Sequence, residues 1–136
     1  MPFVWRSRIR FVDTDASTHI HYSAIFRHLE TAEVEFFRSA GLDYNSIFKA
    51  GLSVPRVHVE ADYQAMLDFD DEIEIAVSLE RVGESSLTLG FEVRRAADGE
   101  VAVRARYVMA CISLRTGRST PIPDAIREAL ARPQAE

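Results

Sequence analysis

The sequence predicts an α+β domain in which one long helix lies across an antiparallel β-sheet. Between residues 23 and 40, apolar side chains recur at the three- and four-residue spacing of an amphipathic helix. Much of the remaining chain alternates apolar with polar residues and is divided by turn-forming residues, as antiparallel strands are. Because the helix must bury its apolar stripe, we expect it to cover one face of the sheet.

The first predicted element is a strand over residues 3–12. Apolar side chains alternate there with arginines, which indicates one buried face and one solvated face. The apolar members are Phe3, Trp5, Ile9 and Phe11, and the arginines are Arg6, Arg8 and Arg10.

The long helix is predicted over residues 23–40, with Ser23 as its N-cap and Gly41 as its C-terminal stop. Charged residues fill the side opposite the stripe, and we interpret Glu30 and Glu33 as part of that solvated face. A short helix over residues 44–49 follows and ends before Gly51. The stripe itself consists of Ile25, Leu29, Ala32, Phe36 and Ala40, widened by Phe26 and Phe37.

The second half of the chain is predicted to hold four more strands, which gives about five in all. They cover residues 54–63, 72–81, 86–95 and 100–114, with turns at 97–99 and 116–118 and a C-terminal helix over 123–131. Since no repeat or linker interrupts the chain, we expect residues 1–136 to form a single domain with a frayed tail at 133–136. Such a sheet has open edges, and dimerisation through an edge would cover one of them.

The composition excludes several classes of protein. The chain has 136 residues and a net charge of −5, which argues against non-specific nucleic-acid binding. No apolar run approaches the roughly 20 residues that span a bilayer, and the N-terminus lacks the order of a signal peptide. The single cysteine, Cys111, leaves no internal disulfide and no Cys-rich zinc site. We therefore expect a cytoplasmic protein that binds neither nucleic acid nor membrane.

The segment between the first strand and the long helix, residues 13–22, is dense in titratable groups. It carries two carboxylates and two imidazoles beside a helix N-terminus, whose unpaired N–H groups can hold a developing negative charge. Asp15 is nearer the helix start, so we interpret it as the functional carboxylate. We interpret Asp13 as a structural residue that caps turn amides.

The other polar residues of this segment leave alternatives open. His19 and His21 are either hydrogen-bonded loop residues or, with the aspartates, metal ligands, but their spacing matches no strong metal motif and we expect no metal. Tyr22 either lines a pocket or packs on the sheet. Arginines concentrate in the C-terminal third, where solvated strands and turns explain them as well as an anion site does: Arg94, Arg95, Arg104, Arg106, Arg115 and Arg118.

Four segments together resemble the 4-hydroxybenzoyl-CoA thioesterase-like family of hotdog-fold acyl-CoA thioesterases. Residues 11–22 are similar to the family pattern Asp-x-Asp-x-x-x-His, with Asp13, Asp15 and His19 at its defined positions. Residues 26–37 resemble the family's central helix, which is rich in aromatic residues and Glu. Residues 61–63 and 69–73 resemble two later strand signatures, so the similarity runs over nearly the whole chain.

The resemblance implies a hotdog fold, in which a curved antiparallel sheet of about five strands wraps around one long central helix. It implies a homodimer formed edge to edge that pairs again into a homotetramer. The family's catalytic carboxylate falls on Asp15, and the amides that polarise the thioester carbonyl fall near Tyr22, Ser23 and Ala24. His19 matches a family histidine. The implied reaction is hydrolysis of an acyl-CoA to free acid and CoA, with Asp15 as general base or nucleophile and with no cofactor besides the CoA of the substrate.

Four positions depart from the family pattern. Thr18 stands where many members have Gly, His21 and Tyr22 where many have Asn, and Met66 where members often have Pro. The carboxylate and the helix are retained, so these changes bear on the shape of the pocket and on the acyl preference. The alternatives are a non-hydrolytic acyl-CoA-binding protein, an enzyme acting on a carrier-protein thioester and a metal-dependent hydrolase. The sequence leaves the acyl group open.

Overall fold

A five-stranded antiparallel sheet forms the centre of the molecule in a computed structural model that describes residues 3–131. The strand order is β1-β4-β5-β6-β3, so the five strands that the alternation predicts are confirmed. The strands are β1 (Phe3–Arg8), β3 (Arg56–Tyr63), β4 (Glu72–Val82), β5 (Ser86–Arg95) and β6 (Val101–Ala110), while β2 (Leu52–Ser53) and β7 (Ile112–Ser113) pair separately. The frayed tail predicted at residues 133–136 lies outside the described residues.

Helix α1 (Ile25–Ser39) packs its apolar stripe against the sheet, as its periodicity predicts. Ile25, Leu29 and Ala32 are fully buried, and the Phe36 ring meets the Phe3 ring edge-on at 5.8 Å. Burying one such aliphatic or aromatic side chain contributes about 1.5–3 kcal/mol. Inward-facing residues of the central strands complete this core: Ile73, Ile75, Val77, Leu87, Leu89, Phe91 and Val93.

The two ends of α1 differ in how well the sequence predicts them. Gly41 has φ +81°, and the N–H groups of Gly41 and Leu42 donate to the carbonyls of Arg38 and Phe37 at 3.0 and 2.9 Å. This is a Schellman motif, which confirms the predicted stop. The predicted N-cap is wrong, because the helix begins at Ile25 after Ala24 and the Ser23 hydroxyl faces His21 Nδ1 at 2.8 Å instead.

Three predicted strands are shorter than expected, and one of them is β3, which begins at Arg56 instead of residue 54. β1 ends at Arg8, and a 3₁₀ turn (Phe11–Asp13) follows, because the Asp13 carboxylate accepts the Arg10 N–H at 2.8 Å and turns the chain. The strand predicted over residues 100–114 divides at Cys111, whose N–H donates to the Ser85 carbonyl at 2.8 Å. Beyond that point β7 leaves the main sheet and pairs with β2.

The remaining helices, α2 (Tyr44–Lys49) and α3 (Asp124–Ala131), lie where the sequence places them. None of the helices within residues 3–131 combines the length and apolar character that a membrane-crossing helix requires.

Glu33 contradicts the expectation of a solvated helix face, although Glu30 meets it. The Glu33 side chain is fully buried, and its carboxylate accepts hydrogen bonds from Arg56, with Nε at 2.9 Å, and from the Tyr44 hydroxyl. Arg56 in turn lies 5.7 Å from the centre of the Tyr107 ring. Burial raises the pKa of Glu33, and the Tyr44 hydrogen bond and the Arg56 charge oppose that rise.

Candidate active site

The segment between β1 and α1 folds into a narrow loop whose ends are held together. Thr14 and Ile20 form an isolated antiparallel bridge, the Asp15 N–H donates to the His19 carbonyl at 3.1 Å, and the Thr18 N–H donates to the Asp15 carbonyl at 3.0 Å. Thr18 has φ +72°, a left-handed conformation that costs a residue with a Cβ about 1–2 kcal/mol. The conformation of the loop therefore explains why glycine suits this position.

Asp15 is exposed at the tip of this loop. Its Oδ1 atom accepts hydrogen bonds from the Ser17 hydroxyl and from the Ser17 N–H, the latter at 2.8 Å. These bonds hold the pKa of Asp15 below its usual value, so the carboxylate is ionised near neutral pH. Within residues 3–131 no hydrogen bond reaches its other oxygen, Oδ2, which leaves that atom available to a ligand or a water.

His19 joins the loop to the segment between β3 and β4. Its Nδ1 atom contacts the Asp68 carboxylate, the backbones of the two residues form a bridge, and the Ile20 N–H donates to the Leu67 carbonyl at 2.8 Å. This arrangement ties the His19 ring to the neighbouring loop. No group of three or more His, Cys, Asp or Glu residues in the described part of the chain is placed to hold a metal ion.

The start of α1 brings together the residues that the resemblance implies for substrate binding. The Ser23 N–H donates to His21 Nδ1 at 3.2 Å, and the Ala24 N–H donates to the His21 carbonyl at 2.9 Å. Of the three amides predicted to face an oxyanion, only the Tyr22 N–H has no acceptor within residues 3–131. Tyr22 is 70% exposed, its ring lies 4.4 Å from that of His21, and its carbonyl accepts the Tyr63 hydroxyl.

Asp13 is buried, with 2% of its surface exposed, and its role as a capping residue is confirmed. Its carboxylate accepts hydrogen bonds from the Arg10 N–H at 2.8 Å and from Arg27 Nη2 at 3.0 Å, and it lies 2.8 Å from His28 Nε2. Burial by itself raises the pKa of Asp13, but the hydrogen bonds from Arg10, His28 and Arg27 outweigh it and leave that pKa below its usual value.

Four residues at this site are not singled out by the sequence pattern: Ser17, His28, Tyr63 and Asp68. For His28 a signal exists, because it lies within the apolar stripe, three residues after Ile25 and four before Ala32. A polar residue in such a stripe needs a buried partner, and Asp13 supplies it. For Tyr63 and Asp68 the contacts depend on strands and loops far along the chain, which no local pattern reveals.

The clustered arginines are mostly neutralised by neighbouring carboxylates, which supports solvated strands over an anion site. Arg94 and Arg104 both pair with Glu92, and Arg106 pairs with Glu80 at 2.9 Å. Arg95 pairs with Asp98 at 2.7 Å.

Comparisons with known proteins show which family the chain is similar to. A family model described as the thioesterase-like superfamily matches residues 9–130. An Aquifex aeolicus (strain VF5) protein described as a candidate esterase is 32% identical over 130 residues, which cover 96% of this chain and 98% of that relative. A 1,4-dihydroxy-2-naphthoyl-CoA hydrolase of Prochlorococcus marinus (strain MIT 9313) is 26% identical over 129 residues, covering 89% and 84%. A crystal structure of a hypothetical Aquifex aeolicus protein matches with a TM-score of 0.88 at 29% identity, covering 95% of this chain and 99% of that one.

Proposed function

The chain belongs to the thioesterase-like superfamily and has its hotdog fold, and from this premise we propose that it hydrolyses an acyl-CoA thioester to the free acid and coenzyme A. The observation that carries the proposal is an exposed, ionised carboxylate, Asp15, on the loop that leads into α1. In the turn just before this helix, the Tyr22 N–H has no acceptor within residues 3–131. The relative that hydrolyses 1,4-dihydroxy-2-naphthoyl-CoA supports an acyl-CoA substrate.

The Tyr22 N–H is the proposed donor to the thioester oxygen. It has no acceptor within residues 3–131 and lies in the turn just before α1, whose N-terminal dipole favours negative charge. As the carbonyl carbon becomes tetrahedral, the charge on its oxygen grows and this hydrogen bond strengthens, which lowers the barrier. The resemblance also implies the amides of Ser23 and Ala24 as donors to the oxyanion. Both are bonded to His21, so in this proposal they hold the turn that presents the Tyr22 N–H.

Asp15 is the proposed base or nucleophile. As a base, it takes a proton from water while the water oxygen bonds to the carbonyl carbon, and collapse of the intermediate breaks the C–S bond and releases the CoA thiolate. As a nucleophile, it bonds to the same carbon and expels the thiolate, and water then cleaves the resulting anhydride. Both routes use the open Oδ2 atom. Coenzyme A enters as part of the substrate, so neither route calls for a cofactor or a metal.

The remaining predicted residues shape the entrance to this site. The exposed Tyr22 ring against His21 offers a flat apolar surface to an acyl group, and His19 holds the loop through Asp68.

We propose that the active form is a homodimer joined through β3, which pairs again into a tetramer. β3 is an edge strand that pairs only with β6 in the main sheet, and it exposes Val57, Val59 and Tyr63 by 45–62%. An open apolar edge of this kind favours pairing with a second copy. Because the Tyr63 hydroxyl reaches the Tyr22 carbonyl, this edge adjoins the proposed site. Val59→Lys should yield monomers in sedimentation analysis, and a Val59→Lys variant that stays dimeric would exclude this edge.

A thiol-release assay over aromatic, short-chain and medium-chain acyl-CoAs, with the same acyl groups on a carrier protein, tests the proposed reaction. Asp15→Asn should lower kcat by at least about 100-fold, the scale of one general base, while the melting temperature stays unchanged because the side chain is exposed. Asp98→Asn, at an exposed aspartate of the β5–β6 hairpin, is the matched control and should keep full turnover. Near-normal hydrolysis by Asp15→Asn would exclude this mechanism. Tight acyl-CoA binding without thiol release by the unmodified protein would favour the non-hydrolytic alternative.

A further inference from the structure

We propose that Asp13 and His28 form a positioning tether that holds the catalytic loop, residues 14–20, against the start of α1. The proposal rests on the function proposed above, since what the tether positions is Asp15 relative to the Tyr22 amide. Neither Asp13 nor His28 contacts substrate in this view. They act through the residues between them.

The tether closes the loop at both of its ends. The Asp13 carboxylate lies 2.8 Å from His28 Nε2 on the first turns of α1, and the Asp13 carbonyl accepts the His21 N–H at 2.8 Å. One residue therefore binds the helix through its side chain and the far end of the loop through its backbone. Asp15 lies between these two attachments, and within residues 3–131 its side chain is hydrogen-bonded to Ser17 alone.

Burial makes this tether rigid. Asp13 is 2% exposed and His28 is 7% exposed, so water does not compete for their hydrogen bond. Removing one partner would leave the other buried without this hydrogen bond, which is unfavourable. A local opening of the loop is therefore much less favourable than it would be for a surface loop held by exposed bonds.

A third residue fixes the orientation of the imidazole. The Ser7 hydroxyl, on β1, lies 2.7 Å from His28 Nδ1. When Ser7 donates to Nδ1, the proton of the neutral ring is on Nε2 and donates to Asp13. Serine, histidine and aspartate occur in this order in hydrolytic triads, but here the ring is buried beneath the loop, and we therefore assign it to positioning rather than to nucleophilic attack.

Paired substitutions at His28 test the tether. His28→Leu removes both hydrogen bonds and keeps an apolar side chain in the stripe, whereas His28→Gln retains a donor for Asp13 and an acceptor for Ser7. We expect His28→Leu to lower kcat by about 10- to 100-fold with KM within about threefold, as a misplaced catalytic group does. We expect His28→Gln to recover most of that loss. In an Asp15→Asn background His28→Leu should cause no further loss, because the tether acts through Asp15.

Hydrogen exchange supplies a readout that is independent of turnover. The His21 amide and its neighbours in residues 14–24 should exchange faster in His28→Leu than in the unmodified protein, while the central strands keep their protection. Glu35→Gln, which removes an ion pair with Arg38 on the solvated side of α1, is the control and should leave the loop unchanged. If His28→Leu does not fold, Asp13→Asn, which preserves the shape of the side chain, replaces it with the same readouts.

The outcomes separate this proposal from the proposed function. A folded His28→Leu with normal kcat and normal loop protection would overturn the tether. Faster loop exchange in His28→Leu, together with undiminished hydrolysis by Asp15→Asn, would support the tether as a structural device and overturn the assigned role of Asp15.

Discussion

Asp13 and Asp15 are separated by a single residue and yet lie in opposite environments, since Asp13 is 2% exposed and bonded to Arg10, Arg27 and His28, whereas Asp15 stands in solvent. On a continuous strand their side chains would point the same way. The 3₁₀ turn that ends at Asp13 separates them. The Asp13 carboxylate therefore stabilises the fold, and the Asp15 carboxylate is accessible to a substrate.

The hydrogen bonds from Ser17 should set the acid limit of activity. They lower the pKa of Asp15 below its usual value of about 3.9, so a reaction that needs the ionised form loses rate only as the pH falls through that lowered pKa. Ser17→Ala removes the hydroxyl bond, raises the pKa toward the usual value and should move the acid limb of kcat/KM to higher pH. A pH–rate profile measures this.

Ser46→Ala is the control for that profile, because Ser46 makes the equivalent contact with Asp43 at the start of α2, away from the site. It should leave the acid limb in place. An acid limb that moves to lower pH in Ser17→Ala, or does not move, would contradict the role of Ser17.

Asp13 should contribute stability that depends on pH. Its pKa is lowered in the folded state, so its contribution is fully present above the unfolded pKa of about 3.9 and is lost as the pH falls through the folded pKa. Asp13→Asn should therefore cost about 1–3 kcal/mol near pH 7 and progressively less below about pH 4. Urea unfolding of both proteins across that range measures the difference. A cost that grows on acidification would contradict this sign.

The pair of the buried Glu33 and the partly exposed Arg56 should show strong coupling. Arg56→Met leaves the Glu33 charge buried without its cation and should cost about 3–5 kcal/mol. Glu33→Leu leaves Arg56, whose side chain is 33% exposed, and should cost less. The double variant leaves no charge behind and should cost less than Arg56→Met. Urea denaturation of the unmodified protein, the two single variants and the double variant forms a double-mutant cycle. Additive losses in the free energy of unfolding would show that the two side chains act independently.

The left-handed backbone conformation at the end of α1 should require glycine at position 41 for full stability. At φ +81° a Cβ is strained although no neighbouring atom lies within 4 Å of its position, so Gly41→Ala should cost about 1–2 kcal/mol. Gly41→Asn should cost less, because asparagine tolerates this region. Thermal unfolding compares them. Equal costs for Ala and Asn would point to a cause other than the backbone angle.

Local periodicity predicts most of the elements of this fold. The alternation in residues 86–95 gives β5 with its observed limits, and the glycines at 41 and 51 mark the ends of α1 and of the short helix after it. Asp15 is a candidate because of its place before a helix, which is also a local property. These predictions succeed because dihedral preferences and side-chain spacing depend only on neighbouring residues.

The sequence by itself determined the strands, the long helix and the loop that carries the acidic and imidazole side chains. The tertiary structure decided which of those side chains are buried and paired. From its position in the sequence Glu33 is predicted to be solvated, but in the structure it is bonded to Arg56 of β3. The Tyr63 hydroxyl, also on β3, donates to the Tyr22 carbonyl. His28 likewise becomes a partner of Asp13 only when α1 lies on the sheet. A buried charge or hydrogen-bonding group is stable only if it has a partner. Here the partners lie on segments distant in sequence, and local sequence patterns carry no information about such contacts.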